Sequence, residues 1–327
     1  MKKITIKISA IILAVLMLVP LALVSCNKAD GELEIKVYAL NGTTALGMAQ
    51  MISNSKNGTD TMNYNITLYP SADVITSTII SGECAIAALP TNVAAKLYKK
   101  SDGKIQLLAL NTLGVLYLLD STGTVDGLDD LKGKTVYLPG GGSNPEYITA
   151  ALLKGAGITD VTLDTTSYAS PDALQAAIVA GKAELAVLPE PKVSVVTGAR
   201  SDVSVALDLT SEWEKIYGEN TLVQGCLVVN KAFAEEHPNE IKKFLEDYKA
   251  SVEFISAGSD EAIDMIVDAG ILPKAGVAKK ALPKCNICCI TGKEMQSAIG
   301  VFYEKLYDLD KSSIAAIPDD GFYYVAK

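Results

Sequence analysis

The segment from Val37 to Leu110 returns without a gap, 99 positions later, as Val136 to Leu209. Tyr38, Gly42, Tyr69, Ser71, Asp73, Ile79, Gly82, Ala87, Leu89 and Pro90 recur as Tyr137, Gly141, Tyr168, Ser170, Asp172, Ile178, Gly181, Ala186, Leu188 and Pro189, and Leu108 and Leu110 as Leu207 and Leu209. This duplication limits the possible folds more than any motif does. Each copy has to bury its apolar faces in the same way, and two similar lobes facing one another enclose a cleft.

In the first copy an apolar strand, Leu33 to Ala39, runs into the polar loop Leu40-Asn41-Gly42-Thr43-Thr44, after which Ala45, Leu46, Ala49 and Ile52 stand at helical spacing. The second copy has a strand at Thr135 to Leu138, then Pro139-Gly140-Gly141-Gly142-Ser143-Asn144-Pro145-Glu146, then Ile148, Ala151 and Leu152. Ser143 and Glu146 have the spacing of a capping box and Pro145 falls in a first turn, which marks a helix start. Tyr69-Pro70-Ser71 and Tyr168-Ala169-Ser170 end strands, and their serines are placed to cap helices that Gly82 and Gly181 close. Ala85 to Leu89 and Glu184 to Leu188, nearly all apolar and stopped by Pro90 and Pro189, read as strands buried on both faces of a parallel sheet. The alternation predicts an α/β fold of two doubly wound lobes.

After the second copy, Leu222 to Val229 reads as a strand broken at Gln224-Gly225, and the helix begun by Pro238 carries Ile241, Phe244, Leu245, Tyr248, Val252 and Ile255 on one stripe. No third copy receives this tail, so it is expected to pack back on the first lobe. The chain then crosses between lobes twice, near Asn111 to Gly114 and near Gln224 to Cys226, which makes a two-strand hinge. The expected division is residues 33–112 with 226–327 in lobe 1 and 113–225 in lobe 2.

Ligands of doubly wound sheets lie beyond the carboxyl ends of the strands. That puts Asn41, Gly42, Thr43, Thr44, Tyr69, Thr91 and Asn92 on one wall of the cleft. Gly140, Gly141, Gly142, Ser143, Tyr168 and Glu190 fall on the other, with Gln224 at the hinge. The glycine run and the Asn-Gly-Thr-Thr loop offer backbone N–H groups at helix N-termini, where a carboxylate, sulfonate or phosphate is stabilised. A flexible turn is the alternative for the glycines. Glu190, between two prolines, is expected to hold its carboxylate near the cleft, repelling an inorganic anion and favouring an amine or ring N–H; a surface carboxylate is the alternative. The expected ligand is a small, partly anionic organic solute with donor and acceptor groups, its ring stacking on Tyr69, Tyr168 or Tyr147.

The chain begins with Lys2, Lys3 and Lys7, an apolar run from Ile8 to Val24, and then Ser25-Cys26, the pattern of a secretory signal over 1–25; a transmembrane anchor is the rival reading. Leu23-Val24-Ser25-Cys26 resembles the lipobox of bacterial lipoproteins. That implies lipid on Cys26, a tether over 26–32, and a protein held to the membrane on its extracytoplasmic side. Without those three lysines, the 29 basic side chains become 26 against 38 acidic ones, a net charge near −12. Such a balance argues against a nucleic-acid partner.

Cys84, Cys226, Cys285, Cys288 and Cys289 are odd in number and form no even disulfide framework; buried small hydrophobes, or one disulfide within 285–289, both remain open. The only histidine is His237, at a helix start before Pro238, so neither a metal nor a cofactor is expected. The glycine run lacks the Lys-Ser or Lys-Thr of a phosphate-binding loop, and no nucleophile elbow occurs. Trp213 fits either the cleft or the packed face of a helix.

Four segments, in this order and spacing, resemble one family: Ser81-Gly-Glu-Cys-Ala-Ile-Ala87, Asp130-Leu-Lys-Gly-Lys-Thr-Val136, Gly181-Lys-Ala-Glu-Leu-Ala-Val-Leu-Pro-Glu-Pro191, and Asn230-Lys-Ala-Phe233 followed by His237-Pro-Asn-Glu240. The family is the nitrate, sulfonate, taurine and thiamine-precursor (NMT1/THI5-like) group of ABC-importer substrate-binding proteins. The resemblance implies a type II periplasmic-binding-protein fold and a monomer that captures a small-molecule solute for a membrane permease and its ATPase. A lipid-anchored sensor, or an enzyme on the same scaffold, are the other readings. The thiamine-precursor binders resemble enzymes with a C-C-C-F-C motif, which Cys285-Asn-Ile-Cys-Cys289 does not match, so the solute stays open.

Overall fold

The computed structural model describes residues 33–326; the expected signal, the tether and Cys26 lie outside the described residues. The chain starts with β1 (Ile35–Leu40), α1 (Thr43–Leu46), α2 (Ala49–Asn57) and β2 (Tyr64–Tyr69). It continues through α3 (Ala72–Ser81), β3 (Ile86–Pro90), α4 (Thr91–Lys100) and β4 (Ile105–Thr112). A short step leads into β5 (Leu116–Asp120), followed by β6 (Lys134–Tyr137), α5 (Asn144–Gly155), β7 (Val161–Asp164) and α6 (Pro171–Val179). β8 (Leu185–Pro189), α7 (Lys192–Ala199), β9 (Ser204–Asp208) and α8 (Leu209–Tyr217) complete this run. The chain returns as β10 (Gly225–Asn230), α9 (Lys231–Glu236), α10 (Pro238–Ser256), α11 (Asp260–Asp268), α12 (Ala275–Ala281), β11 (Ile287–Ile290) and α13 (Gly292–Leu309).

Two sheets result, one ordered β11-β4-β10-β3-β1-β2 and one ordered β7-β6-β8-β5-β9. Strand for strand, β2-β1-β3-β10-β4 corresponds to β7-β6-β8-β5-β9. The sheets are mixed rather than wholly parallel as the sequence suggested. β10 runs antiparallel between β3 and β4, and β5 antiparallel between β8 and β9. The reason is connectivity: each inserted strand arrives from the other sheet, so it enters from the opposite end.

The central strands explain themselves. β3 and β8 are buried along their apolar residues, flanked on both edges by other strands, whereas the edge strand β2 is only partly covered. Ser170 caps α6 by accepting from the Ala173 N–H at 3.2 Å. Ser71 holds the same place before α3 without a side-chain bond. Gly82 ends α3 in the left-handed region at φ 82°, which only glycine occupies without strain.

A hydrophobic core runs from one face of the first sheet through Phe302 and Tyr303 of α13 to Ile148 of α5 and Trp213 of α8. A second core lies under α10 and α11 on the other face of the first sheet, and a third under α6 and α7. No helix among the described residues is long and apolar enough to cross a membrane.

Candidate functional site

Gln224 is the knot where the two crossings meet. Its N–H donates to the Thr112 carbonyl at 3.0 Å, and its own carbonyl accepts from the Thr91 N–H at 3.1 Å. Its Oε1 accepts from the Val115 N–H at 2.7 Å. One residue therefore ties together the end of β4, the start of α4 and the approach to β5. Asn286 adds a second tie, its carbonyl accepting from the Leu113 N–H and its Nδ2 donating to the Gly114 carbonyl. Neighbouring side chains pack directly on the two crossing glycines: a Cβ at Gly225 would stand 2.4 Å from Asn111 Oδ1, and one at Gly114 2.1 Å from Thr210 Oγ1.

A cavity of about 370 Å³ opens beside this knot, between the carboxyl ends of the two sets of strands. It is lined by first-turn residues of four helices: Thr43 and Thr44 of α1, Asn92 and Val93 of α4, Asn144 and Pro145 of α5, and Pro171 of α6. Helix N-termini carry unsatisfied N–H groups and partial positive charge. Pro90, Pro189, Leu40, Val115 and Leu116 add an apolar lining, and no charged or aromatic side chain is among the lining residues. A groove of similar size lies beside α10, lined by Pro238 and Asn239 of its first turn, Lys242, Lys249, Cys289, Thr291 and Tyr324, but it draws no residue from the second sheet or its helices.

Of the residues expected at the cleft, Asn41, Thr43, Thr44, Asn92, Gly142, Ser143 and Gln224 line this cavity. Gly42, the residue before α1, does not; it supplies the turn at φ 123°. Thr91 is fully buried and donates its hydroxyl to the Val223 carbonyl at 2.8 Å, so it holds the hinge from within.

Tyr69 and Tyr168 pack within their own halves, their rings 5.0 Å from Tyr38 and 5.5 Å from Tyr137. The repeat kept both as ring pairs, Tyr69 from β2 against β1 and Tyr168 from the turn after β7 against β6. Tyr147 is buried with a Lys96 Nζ 5.9 Å from its ring centroid, so none of the three offers a stacking face to the cavity.

The glycine run divides its work. The Gly140 N–H donates to the carbonyls of Leu138 and Tyr168, and a Cβ there would stand 3.0 Å from the Ala169 carbonyl oxygen. Gly141 faces Thr165, outside the lining. The Gly142 N–H donates to Glu146 Oε2 at 2.5 Å, and Ser143 Oγ donates back to the Gly140 carbonyl at 3.0 Å. The expected capping box does not form: Ser143 makes no side-chain bond to the α5 amides, and Glu146 of the first turn answers the Gly142 amide instead of that of Ser143.

Glu190 is the largest correction. It is 1 % exposed and turned away from the cavity, accepting from the Ser194 N–H and hydroxyl at 3.0 Å each, with Lys284 Nζ at 3.9 Å. Burial pushes its carboxyl above the ordinary range, and the Ser194 bonds and the Lys284 charge pull the other way without cancelling it. Its own N–H donates to the Val115 carbonyl at 2.9 Å. The residue braces the first crossing, where the chain enters β5, and it does not line the cavity.

Sequence reasoning missed Asn144 and the prolines of the rim. Pro90 and Pro189 carried a signal, since both copies keep a proline where the strand meets the cavity, but they read only as strand stops. His237 packs its ring 4.6 Å from Phe233, at the junction of α9 and α10. The five cysteines among the described residues are free, and burial pushes the Cys288 thiol to about 12 and the Cys289 thiol to about 11, which leaves no ready thiolate. Among the described residues no group of three His, Cys, Asp or Glu side chains could hold a metal ion.

Two sheets of matching order, two crossing segments and a cavity ringed by helix N-termini define the periplasmic-binding-protein fold. Residues 104–262 match the family described as NMT1/THI5 like, and several of the chain's structural neighbours are described as ligand-binding components of ABC-type import systems or as periplasmic sulfonate-binding proteins. An ABC transporter protein from Parabacteroides distasonis is 25 % identical with a TM-score of 0.76, covering 90 % of this chain and 99 % of that one. The periplasmic aliphatic sulphonate binding protein of Escherichia coli is 14 % identical with a TM-score of 0.69, covering 90 % and 92 %. A Candida albicans protein described as having the generic periplasmic binding protein fold is 15 % identical with a TM-score of 0.58, covering 89 % and 93 %. No curated protein sequence matches the chain.

Proposed function

We propose that this chain is the extracytoplasmic solute-binding component of an ABC importer, a monomer that captures a small, partly anionic organic solute and presents it to a permease driven by an ATPase. The observation that carries this reading is the cavity at the hinge, lined from both sides by helix first turns and by no charged side chain. Four N-terminal dipoles favour an anionic group there without a basic residue. With Glu190 held by Ser194 and the Glu146 carboxylate engaged by the Gly142 N–H, neither side chain lines the cavity. The lining supplies no acid or base for proton transfer, which favours capture over turnover.

In this reading lobe 1 (33–112 with 226–327) and lobe 2 (113–225) close about the Gln224 knot, and ligand contacts that need both walls favour the closed form. Purified protein should carry a small solute detectable by native mass spectrometry, and stripping that solute should enlarge the radius of gyration in solution scattering. Identical profiles for loaded and stripped protein would overturn hinge closure. Anchoring through lipid on Cys26 rests on the Leu23-Val24-Ser25-Cys26 sequence alone. Wild-type protein expressed in bacteria should incorporate labelled fatty acid and Cys26→Ala should not; a labelled Cys26→Ala protein removes the anchor.

A further inference from the structure

Asn144, the first residue of the 12-residue helix α5, lines the cavity and is 7 % exposed. Its Nδ2 donates to the Gln224 carbonyl at 3.5 Å, while its buried Oδ1 accepts from no group of the protein. No other cavity-lining residue has a buried side-chain polar atom left in that state. Exchanging the two amide atoms would set Oδ1 against the Gln224 carbonyl, two acceptors facing each other, so the hydrogen-bond pattern favours the orientation in which the acceptor is the unanswered atom. Buried acceptors find donors in folded proteins, and in the wall of a binding cavity the missing donor belongs to the ligand.

The surroundings decide what kind of donor it is. Asn144 sits where the α5 dipole is positive, and the one carboxylate of that turn, Glu146, stays outside the lining and is taken up by the Gly142 N–H, so an ammonium group finds no free counter-charge there. A neutral O–H or N–H meets no such penalty. Beside it, the first-turn N–H groups of α5 have no intrahelical acceptors and call for an oxygen. Pro145, Pro171, Pro189 and Leu116 offer the carbon skeleton only apolar contact.

We infer that Asn144 is a specificity-determining residue, selecting an acid that carries a neutral hydroxyl or amide donor a short spacer from its anionic group. It does so over the alkyl acid, which leaves Oδ1 unpaired, and over the amino acid, which brings a cation to the helix N-terminus. This rests on the solute-binding reading of the cavity given above.

The test uses three probes that share one sulfonate: 2-hydroxyethanesulfonate, ethanesulfonate and 2-aminoethanesulfonate, titrated calorimetrically into solute-stripped protein. The hydroxyl probe should bind about tenfold more tightly than either of the others, the effect of one answered buried acceptor. In Asn144→Leu the hydroxyl-to-alkyl ratio should fall to about one, and Asn144→Ala, which also removes Oδ1, serves if leucine is not accommodated. Equal wild-type affinities, a preference for the amino probe, discrimination that survives loss of Oδ1, or no binding of any probe each overturn the inference. Solute capture is judged separately: if a co-purified solute and its scattering change are still found, only the role of Asn144 has fallen.

Discussion

Trp213→Ala should lower the unfolding free energy by about 3–5 kcal/mol, the range for deleting a fully buried large aromatic. Trp213 is 0 % exposed, its ring 4.5 Å from Tyr217 and 5.7 Å from Phe302, and its Nε1 donates to Thr221 Oγ1 at 3.0 Å. Phe302 belongs to α13, which packs on the first sheet, so the indole joins that core to the helices of the second. Its loss leaves a cavity between α8 and α13 and removes one of the two hydrogen bonds of the Thr221 hydroxyl, which still donates to the Gly218 carbonyl at 2.7 Å. Because this is the only tryptophan, denaturant unfolding has to be followed by circular dichroism rather than intrinsic tryptophan emission. An unchanged midpoint would mean the site can collapse around the smaller residue. Trp213→Phe should keep most of the stability, since it retains an aromatic ring for Phe302 and Tyr217.

Gly114→Ala should cost roughly 1–3 kcal/mol through overpacking at the crossing. Nearest to the added methyl are Thr210 Oγ1 at 2.1 Å, Thr210 Cγ2 at 2.8 Å and Leu222 Cδ2 at 2.8 Å. Two of these three atoms belong to Thr210, whose hydroxyl is buried and makes no hydrogen bond, so removing it sacrifices little. Gly114→Ala combined with Thr210→Ala should therefore recover part of the lost stability, a coupling that thermal unfolding of the two singles and the double reads directly. A Gly114→Ala protein that melts like wild type would show that the segment has room to spare. Full additivity in the double would assign the effect to Leu222 rather than to Thr210.

The fold was legible because burial is periodic. Ile86 to Leu89 and Leu185 to Leu188 announce strands covered on both faces, and proline and glycine punctuate each unit at matching positions in the two copies. The direction of β5 and β10 was less legible, since a lone apolar stretch has the same pattern whichever way it runs in a sheet. The second copy also hid an offset. β7 begins and ends a few residues earlier than the repeat predicts from β2, because the chain between Asp164 and Ser170 folds into a turn held by the Asp164 carboxylate.

The site was legible in its backbone and much less in its side chains. The Asn41 loop and the glycine loop reach the cavity because the carboxyl ends of the parallel strands, and the helix starts that follow them, point to the same side. Whether a given side chain there faces ligand is settled by its competing partners. Tyr69 and Tyr168 have tyrosines on the adjacent strands to pack against. Glu190 has two Ser194 donors one helical turn ahead, which outcompete an open cavity for a carboxylate.

The repeat, the order of strands and helices and the number of crossings were determined by the sequence alone, because they follow from apolar spacing and turn residues that act locally. The tertiary structure alone decided that Glu190 braces the hinge, that Tyr69, Tyr168 and Tyr147 stay out of the cavity, and that Asn144 keeps an unanswered acceptor in its wall. Those outcomes depend on hydrogen-bond partners far away in the chain, the Gln224 carbonyl for Asn144 and the Val115 carbonyl for the Glu190 N–H, which no spacing within a single repeat records.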